Sequence, residues 1–193
     1  MSINLLQTVQ QNLGYSPLQK IDANTQEVII DKNEPTEKRF SQAAIPAVLI
    51  ALYKYSLPDE GAKAILDADL DSDWTEFIFS DQKEKIIEKI SAYSGHTEEF
   101  TIPKLNAIAE EAIRIIREQL TKGSIEDVKN VLAASRNDVL PYLPASMQIG
   151  TILNDNTIDD RTNKMDGPVS SLMHAIGGSF SGSDSDETTI PKL

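Results

Sequence analysis

Leu105-Asn106-Ala107-Ile108-Ala109-Glu110-Glu111-Ala112-Ile113-Arg114-Ile115-Ile116-Arg117-Glu118-Gln119-Leu120 decides how this chain folds. Leu105, Ile108, Ala109, Ala112, Ile113, Ile116 and Leu120 follow one another at spacings of three and four, so they share one face of a helix. Thr97 followed by Glu98 and Glu99 supplies a start, because acids in a first turn complement the helix dipole. Gly123 supplies a stop. The result is an amphipathic helix of about 18 residues, whose apolar stripe must be covered by neighbouring elements.

Those neighbours also read as helices. Upstream, 38–57 carries Phe40, Ala44, Ala47, Val48, Ala51, Leu52 and Tyr55 at helical spacing. Pro46 lies inside this pattern and is expected either to open the main helix at its first turn or to kink it. Pro58 before Asp59 and Glu60 opens a short helix over 61–66. Asp81 precedes a helix in which Ile86, Ile87 and Ile90 share a face, with Tyr93 one turn on and Gly95 as its end. At the beginning of the chain, Leu5, Leu6, Val9 and Leu13 form another helix stopped by Gly14. Glu27-Val28-Ile29-Ile30 is a short β-branched run with no second strand to pair with, so it reads as extended or loop. Downstream, Ser124 and Asp127 form a capping box ahead of Ile125, Val128, Val131 and Leu132. Leu140-Pro141-Tyr142-Leu143-Pro144 breaks that helix twice, and a short one carrying Met147, Ile149 and Leu153 follows. Turn chemistry fills 154–163. Gly167-Pro168 then starts a last amphipathic helix with Val169, Leu172, Met173, Ile176 and Phe180. From Gly177 the composition is that of a linker or disordered tail.

The expected fold is all-α: a multi-helix, orthogonal bundle-like domain with an accessory C-terminal helical segment and a disordered tail. The chain divides into an N-terminal helix and extended segment (1–34), a helical body (35–123), an accessory helical segment (124–180) and a flexible acidic tail (181–193). Ala44-Ile45-Pro46-Ala47-Val48-Leu49, Glu60-Gly61-Ala62, Ile78-Phe79-Ser80 before Lys83, and Tyr93-Ser94-Gly95 together resemble the YidB-like bacterial family of unknown function. The resemblance spans about 43–120, and Ser80 stands where the family pattern has glycine. It implies a small all-helical cytoplasmic domain and brings no catalytic residues with it.

Composition narrows the function. The chain has 193 residues, no cysteine, two histidines and a formal net charge of -12. Without cysteine, disulfide scaffolds, thiolate metal sites and thiol nucleophiles are excluded. The acidity argues against nucleic acid as a partner, since nucleic-acid binding needs a basic face. Eight acids between 59 and 81 stand against Lys63 alone, a net of -7, so one region carries most of the charge. No apolar run approaches the ~20 residues of a membrane span. The acidic neighbours of the last helix would repel anionic lipids, which argues against surface attachment too.

Asp67, Asp69, Asp71 and Asp73 alternate like the first positions of a calcium loop. Ser72 replaces the required glycine and Ile78 the closing glutamate, so a solvated acidic loop is the expected outcome. His96 and His174 stand alone, with no second histidine at i+4. No nucleophile elbow or phosphate loop is present, and no cofactor is implied. Trp74, Phe77, Ile78 and Phe79 are expected in the core rather than in an exposed patch. Glu110 is expected to pair with Arg114 on the surface. Thr101-Ile102-Pro103-Lys104-Leu105 recurs as Thr189-Ile190-Pro191-Lys192-Leu193. The leading expectation is a non-enzymatic cytoplasmic interaction or assembly module. It would dock a protein partner, or itself, through Val169, Leu172, Met173, Ile176, Phe180, Ile190 and Leu193. Two other readings stay open: an acidic protein that responds to divalent ions through Asp67 to Asp73, and an enzyme whose site is built only in the tertiary fold.

Overall fold

The computed structural model describes residues 4–29, 31, 34–120 and 122–159. The amphipathic stretch from Val169 to Phe180, His174 and the tail with Ile190 and Leu193 lie outside the described residues. Those that are described form an all-α fold with no strand among them. Its helices are α1 (Leu5–Asn12), α2 (Thr36–Tyr55), α3 (Asp59–Asp67), α4 (Trp74–Phe79), α5 (Lys83–Ser94), α6 (Glu98–Gln119), α7 (Ile125–Val139), α8 (Ile149–Ile152) and α9 (Asn156–Asp159).

The stretch that opened the sequence reading becomes α6. Thr97 caps it by accepting a hydrogen bond from the Phe100 backbone N–H, with Glu98 and Glu99 in the first turn. Its apolar stripe faces α1, α2, α4 and α5. The central element is α2, against which α1, α4, α5, α6 and α7 all pack. Every residue from Phe40 to Leu52 is buried. Pro46 therefore sits in the middle of a 20-residue helix instead of at its start. The burial of apolar side chains on all sides of α2 outweighs the one backbone hydrogen bond that proline forfeits.

Several expectations hold and some shift. The capping box of Ser124 and Asp127 is complete, each side chain accepting from the other's backbone N–H. Gly95 ends α5 in the left-handed conformation, at φ +78°. Helix α3 begins two residues earlier than the periodicity suggests, directly after Pro58. The run 27–29 is not a strand: Val28 is buried, whereas Ile29 is 83 % exposed. Trp74, Ile78 and Phe79 lie in the core, but Phe77 stays 47 % exposed with its ring 5.7 Å from that of Trp74. One buried cluster draws on each helix from α1 to α9, with Val128, Leu132 and Val139 of α7 in contact with the same core as α2.

The expected pairing of Glu110 with Arg114 is corrected. Arg114 donates to Glu111 at 2.6 Å and also to Glu118, one turn to either side along the helix. Glu110 instead accepts from the Asn106 side chain, which also reaches the Ser72 carbonyl at 3.4 Å. Positions three and four apart are both neighbours on a helix, and the contact with the loop before α4 decides which partner each takes.

Ser80 joins α4 to α5 at φ +49°, ψ −129°. Glycine adopts this conformation without penalty, whereas a residue with a Cβ is strained by about 1–3 kcal/mol. The serine is exposed and its side chain is not required there. Ser80→Gly is expected to stabilise the protein by about 1 kcal/mol after the added entropy of the unfolded chain is subtracted. Thermal unfolding checks it: the melting temperature should rise, and a fall would contradict the strain argument.

Candidate functional site

The four aspartates singled out as ion ligands do not converge. Asp73 caps α4, accepting from the Glu76 N–H at 3.3 Å and from the Thr75 hydroxyl at 2.5 Å. It also accepts from Lys83 Nζ at 2.8 Å, and this bond is the main reason its carboxyl lies below the usual range. Asp69 closes a local turn by accepting from the Asp71 N–H. Arg117 reaches in from α6 and donates to the carbonyls of Ile65 and Ala68 at 2.6 Å each, bringing a positive charge next to Asp67 and Asp69. Among the described residues no group of three or more histidine, aspartate or glutamate side chains is placed to hold a metal ion. The acidic loop is organised by capping, and Lys83 and Arg117 offset part of its charge.

A different region gathers polar chemistry: the first turn of α2, where α1, α5 and α6 come together. On one side is a recess of about 190 Å³ lined by Tyr15, Ser16, Pro35, Glu37, Lys38 and Lys104 among others. Lys104 Nζ lies 3.2 Å from Glu37 Oε1 and 4.8 Å from the centre of the Phe100 ring. It also stands 5.8 Å from the Tyr15 ring. Burial, with Glu37 second, pushes the Tyr15 phenol up to about 12. Behind this recess, His96 stacks on Phe100 with ring centres 3.8 Å apart and meets Phe40 edge-on at 6.1 Å. His96 Nε2 is 3.8 Å from Glu37 Oε2, yet it is buried without a hydrogen-bond partner. The ring itself is held between Phe100 and Phe40 by these contacts.

On the other side of Lys38 is a second recess between Gln19, Val28, Glu34, Arg39 and Tyr93. Its wall is well made: Gln42 accepts from the Gln19 N–H and donates to the carbonyls of Gln19 and Tyr142. Gln19 and Val28 reach it from the segment after α1, which is tied down by the Ile21 N–H to the Pro141 carbonyl and the Ala145 N–H to the Gln26 carbonyl. Glu27 fastens the same segment, its two carboxylate oxygens accepting from the N–H and hydroxyl of Ser146. Inside, Arg39 Nε and the Tyr93 hydroxyl are buried with no hydrogen-bond partner. Burial pushes the Tyr93 phenol up to about 12; Glu27 and Glu34 add to the shift and Arg39 opposes it.

Sequence reasoning placed Tyr93 one turn beyond Ile90 on its helix and gave Lys38 and Arg39 no role. Lys38 and Arg39 follow Glu37, an acid in the same first turn that complements the helix dipole, so no local rule singled them out.

Comparison with family models, curated proteins and solved structures gives no match. Among the described residues no helix is long and apolar enough to cross a membrane.

Proposed function

We propose that the protein is a helical interaction or assembly module, working in the cytoplasm and docking a protein partner or a second copy of itself through 169–193. The spacing of Val169, Leu172, Met173, Ile176 and Phe180 carries this reading, since it gathers the apolar residues of that stretch on one helical face. Such a face suits a groove on a partner. The repeated pentapeptide supplies two more anchors. In its internal copy Leu105 is buried in the core while Ile102 stays 37 % exposed, and Ile190 and Leu193 stand at the equivalent positions of the second copy. The absence of cysteine fits a reducing compartment.

Removing residues 166–193 tests the reading. Oligomeric mass by light scattering and capture of partners from the native cell should both fall relative to the full chain. Association that survives the deletion unchanged would overturn it.

A further inference from the structure

We propose that the recess between Glu34, Lys38, Arg39 and Tyr93 is a binding site for a phosphate-type oxyanion, occupied in the present conformation by the carboxylate of Glu34. The inference does not depend on what residues 166–193 do.

Two donors that line the recess go unused. The Lys38 ammonium donates to Glu34 Oε1, and the Gln19 amide reaches the same oxygen at 3.5 Å. Arg39 Nε and the Tyr93 hydroxyl line the same recess and have no acceptor. Buried donors are nearly always satisfied, so two orphans in one place call for an explanation. Glu27 holds Ser146 with both of its carboxylate oxygens and makes no hydrogen bond to either orphan. The Gln42 carbonyl oxygen accepts from the Gln19 N–H and likewise makes no bond to them.

Glu34 is an internal anion placed beside two cations of the first turn of α2, and its side chain is only 9 % exposed. A carboxylate has two oxygens in one plane. A phosphate group presents three or more around a tetrahedron, and a guanidinium fork matches it with two parallel bonds. One phosphate group in the place of the Glu34 carboxylate would meet Lys38, Arg39 and the Tyr93 hydroxyl together. The recess holds no room for a water-sized sphere as it stands. Entry therefore requires Glu34 to swing out, and the ligand competes with that residue.

The test uses the full chain and calorimetric titration with inorganic phosphate, and separately with phenyl phosphate. Both should bind if the site takes the group itself. Binding of inorganic phosphate alone identifies the free ion as the ligand, and binding of the ester alone identifies a phosphomonoester. Glu34→Gln keeps the shape and removes the competing charge, so it should tighten binding by about tenfold or more. Arg39→Gln should abolish it, and Tyr93→Phe, which removes only one oxygen, should weaken it several-fold. Thermal melting of each variant separates a lost site from a lost fold. The inference fails if neither ligand gives saturable heat with the native chain and with Glu34→Gln. It fails equally if Tyr93→Phe binds as the native chain does, or if sodium chloride of matched ionic strength gives the same response.

Discussion

Gly61→Ala is expected to destabilise the protein by about 4 kcal/mol, at the severe end for a single added methyl group in a packed interior. An alanine Cβ at this position would lie 1.8 Å from the carbonyl oxygen of Tyr55 and 2.9 Å from its carbonyl carbon. Both are backbone atoms of the last turn of α2, so no side-chain rotation relieves the clash. Gly61 is buried in the first turns of α3, which returns from α2 after Ser56, Leu57 and Pro58. Relief requires α3 to move away from α2, and Ile65 would leave the core with it. The expected sign is the opposite of the ordinary helix rule, by which alanine for glycine inside a helix gains about 1 kcal/mol. Gly14→Ala is the control. Its Cβ would meet nothing within 4 Å, and only its φ of +73° resists substitution, so the loss should be near 1–2 kcal/mol. Urea unfolding followed by circular dichroism measures both. A Gly61→Ala protein as stable as the native chain would show that α3 does not pack as closely on α2 as described.

Gly61 also shows where reading the sequence reaches its limit. The residues Glu60-Gly61-Ala62 were legible as a helix start, because an acid-rich first turn after proline is a local signal. The close approach to Tyr55 was not, since it depends on how tightly the chain folds back over three residues. The same division runs through the fold. α5, α6 and α7 follow from spacing and caps, and those rules act within four residues. The continuation of α2 through Pro46 depends on five other helices packing around it, which no local rule contains. Ser80 falls between the two cases. A glycine position was identifiable there, and the positive φ explains why glycine would suit it.

The candidate site was illegible for a related reason. Arg39 and Tyr93 are far apart in the chain, and Gln42 bonds to the carbonyl of Tyr142 across 100 residues. What brings Arg39 and Tyr93 together is the packing of α5 on α2, while Gln19 and Val28 reach the recess from a segment fixed by backbone bonds from Ile21 to Pro141 and from Ala145 to Gln26. The acidic loop is the opposite case, one in which the missing glycine and glutamate at Ser72 and Ile78 already weighed against an ion site. Its alternating aspartates look like ligands as a string of letters, yet Asp73 is committed to capping α4 and binding Lys83. Capping and ion binding use the same oxygen chemistry, so composition cannot tell them apart.

Phe40→Ala is expected to cost about 4 kcal/mol and to loosen the region around the first turn of α2 as well as the fold. Phe40 is fully buried, and its ring meets Phe100 edge-on at 5.7 Å, His96 edge-on at 6.1 Å and Tyr15 at 6.1 Å. Aromatic pairs contribute about 0.5–1.5 kcal/mol each beyond the area they bury, so one truncation removes the shared neighbour of three rings. The hole left behind faces the stack of His96 on Phe100, over which Lys104 is held. Phe40→Leu fills most of that volume and should cost about 1.5 kcal/mol. Tyr15 supplies a local readout independent of global stability. Its phenol is held near 12 chiefly by burial against this cluster. The raised value means that its contribution to stability is complete below the ordinary tyrosine range near 10 and is lost as pH climbs from there to about 12. In Phe40→Ala water should enter beside the ring, and the phenol should ionise closer to 10 in an ultraviolet titration. A variant that loses stability while Tyr15 still titrates near 12 would show that Phe40 supports the core without supporting the recess. One that keeps its stability would overturn the packing argument altogether.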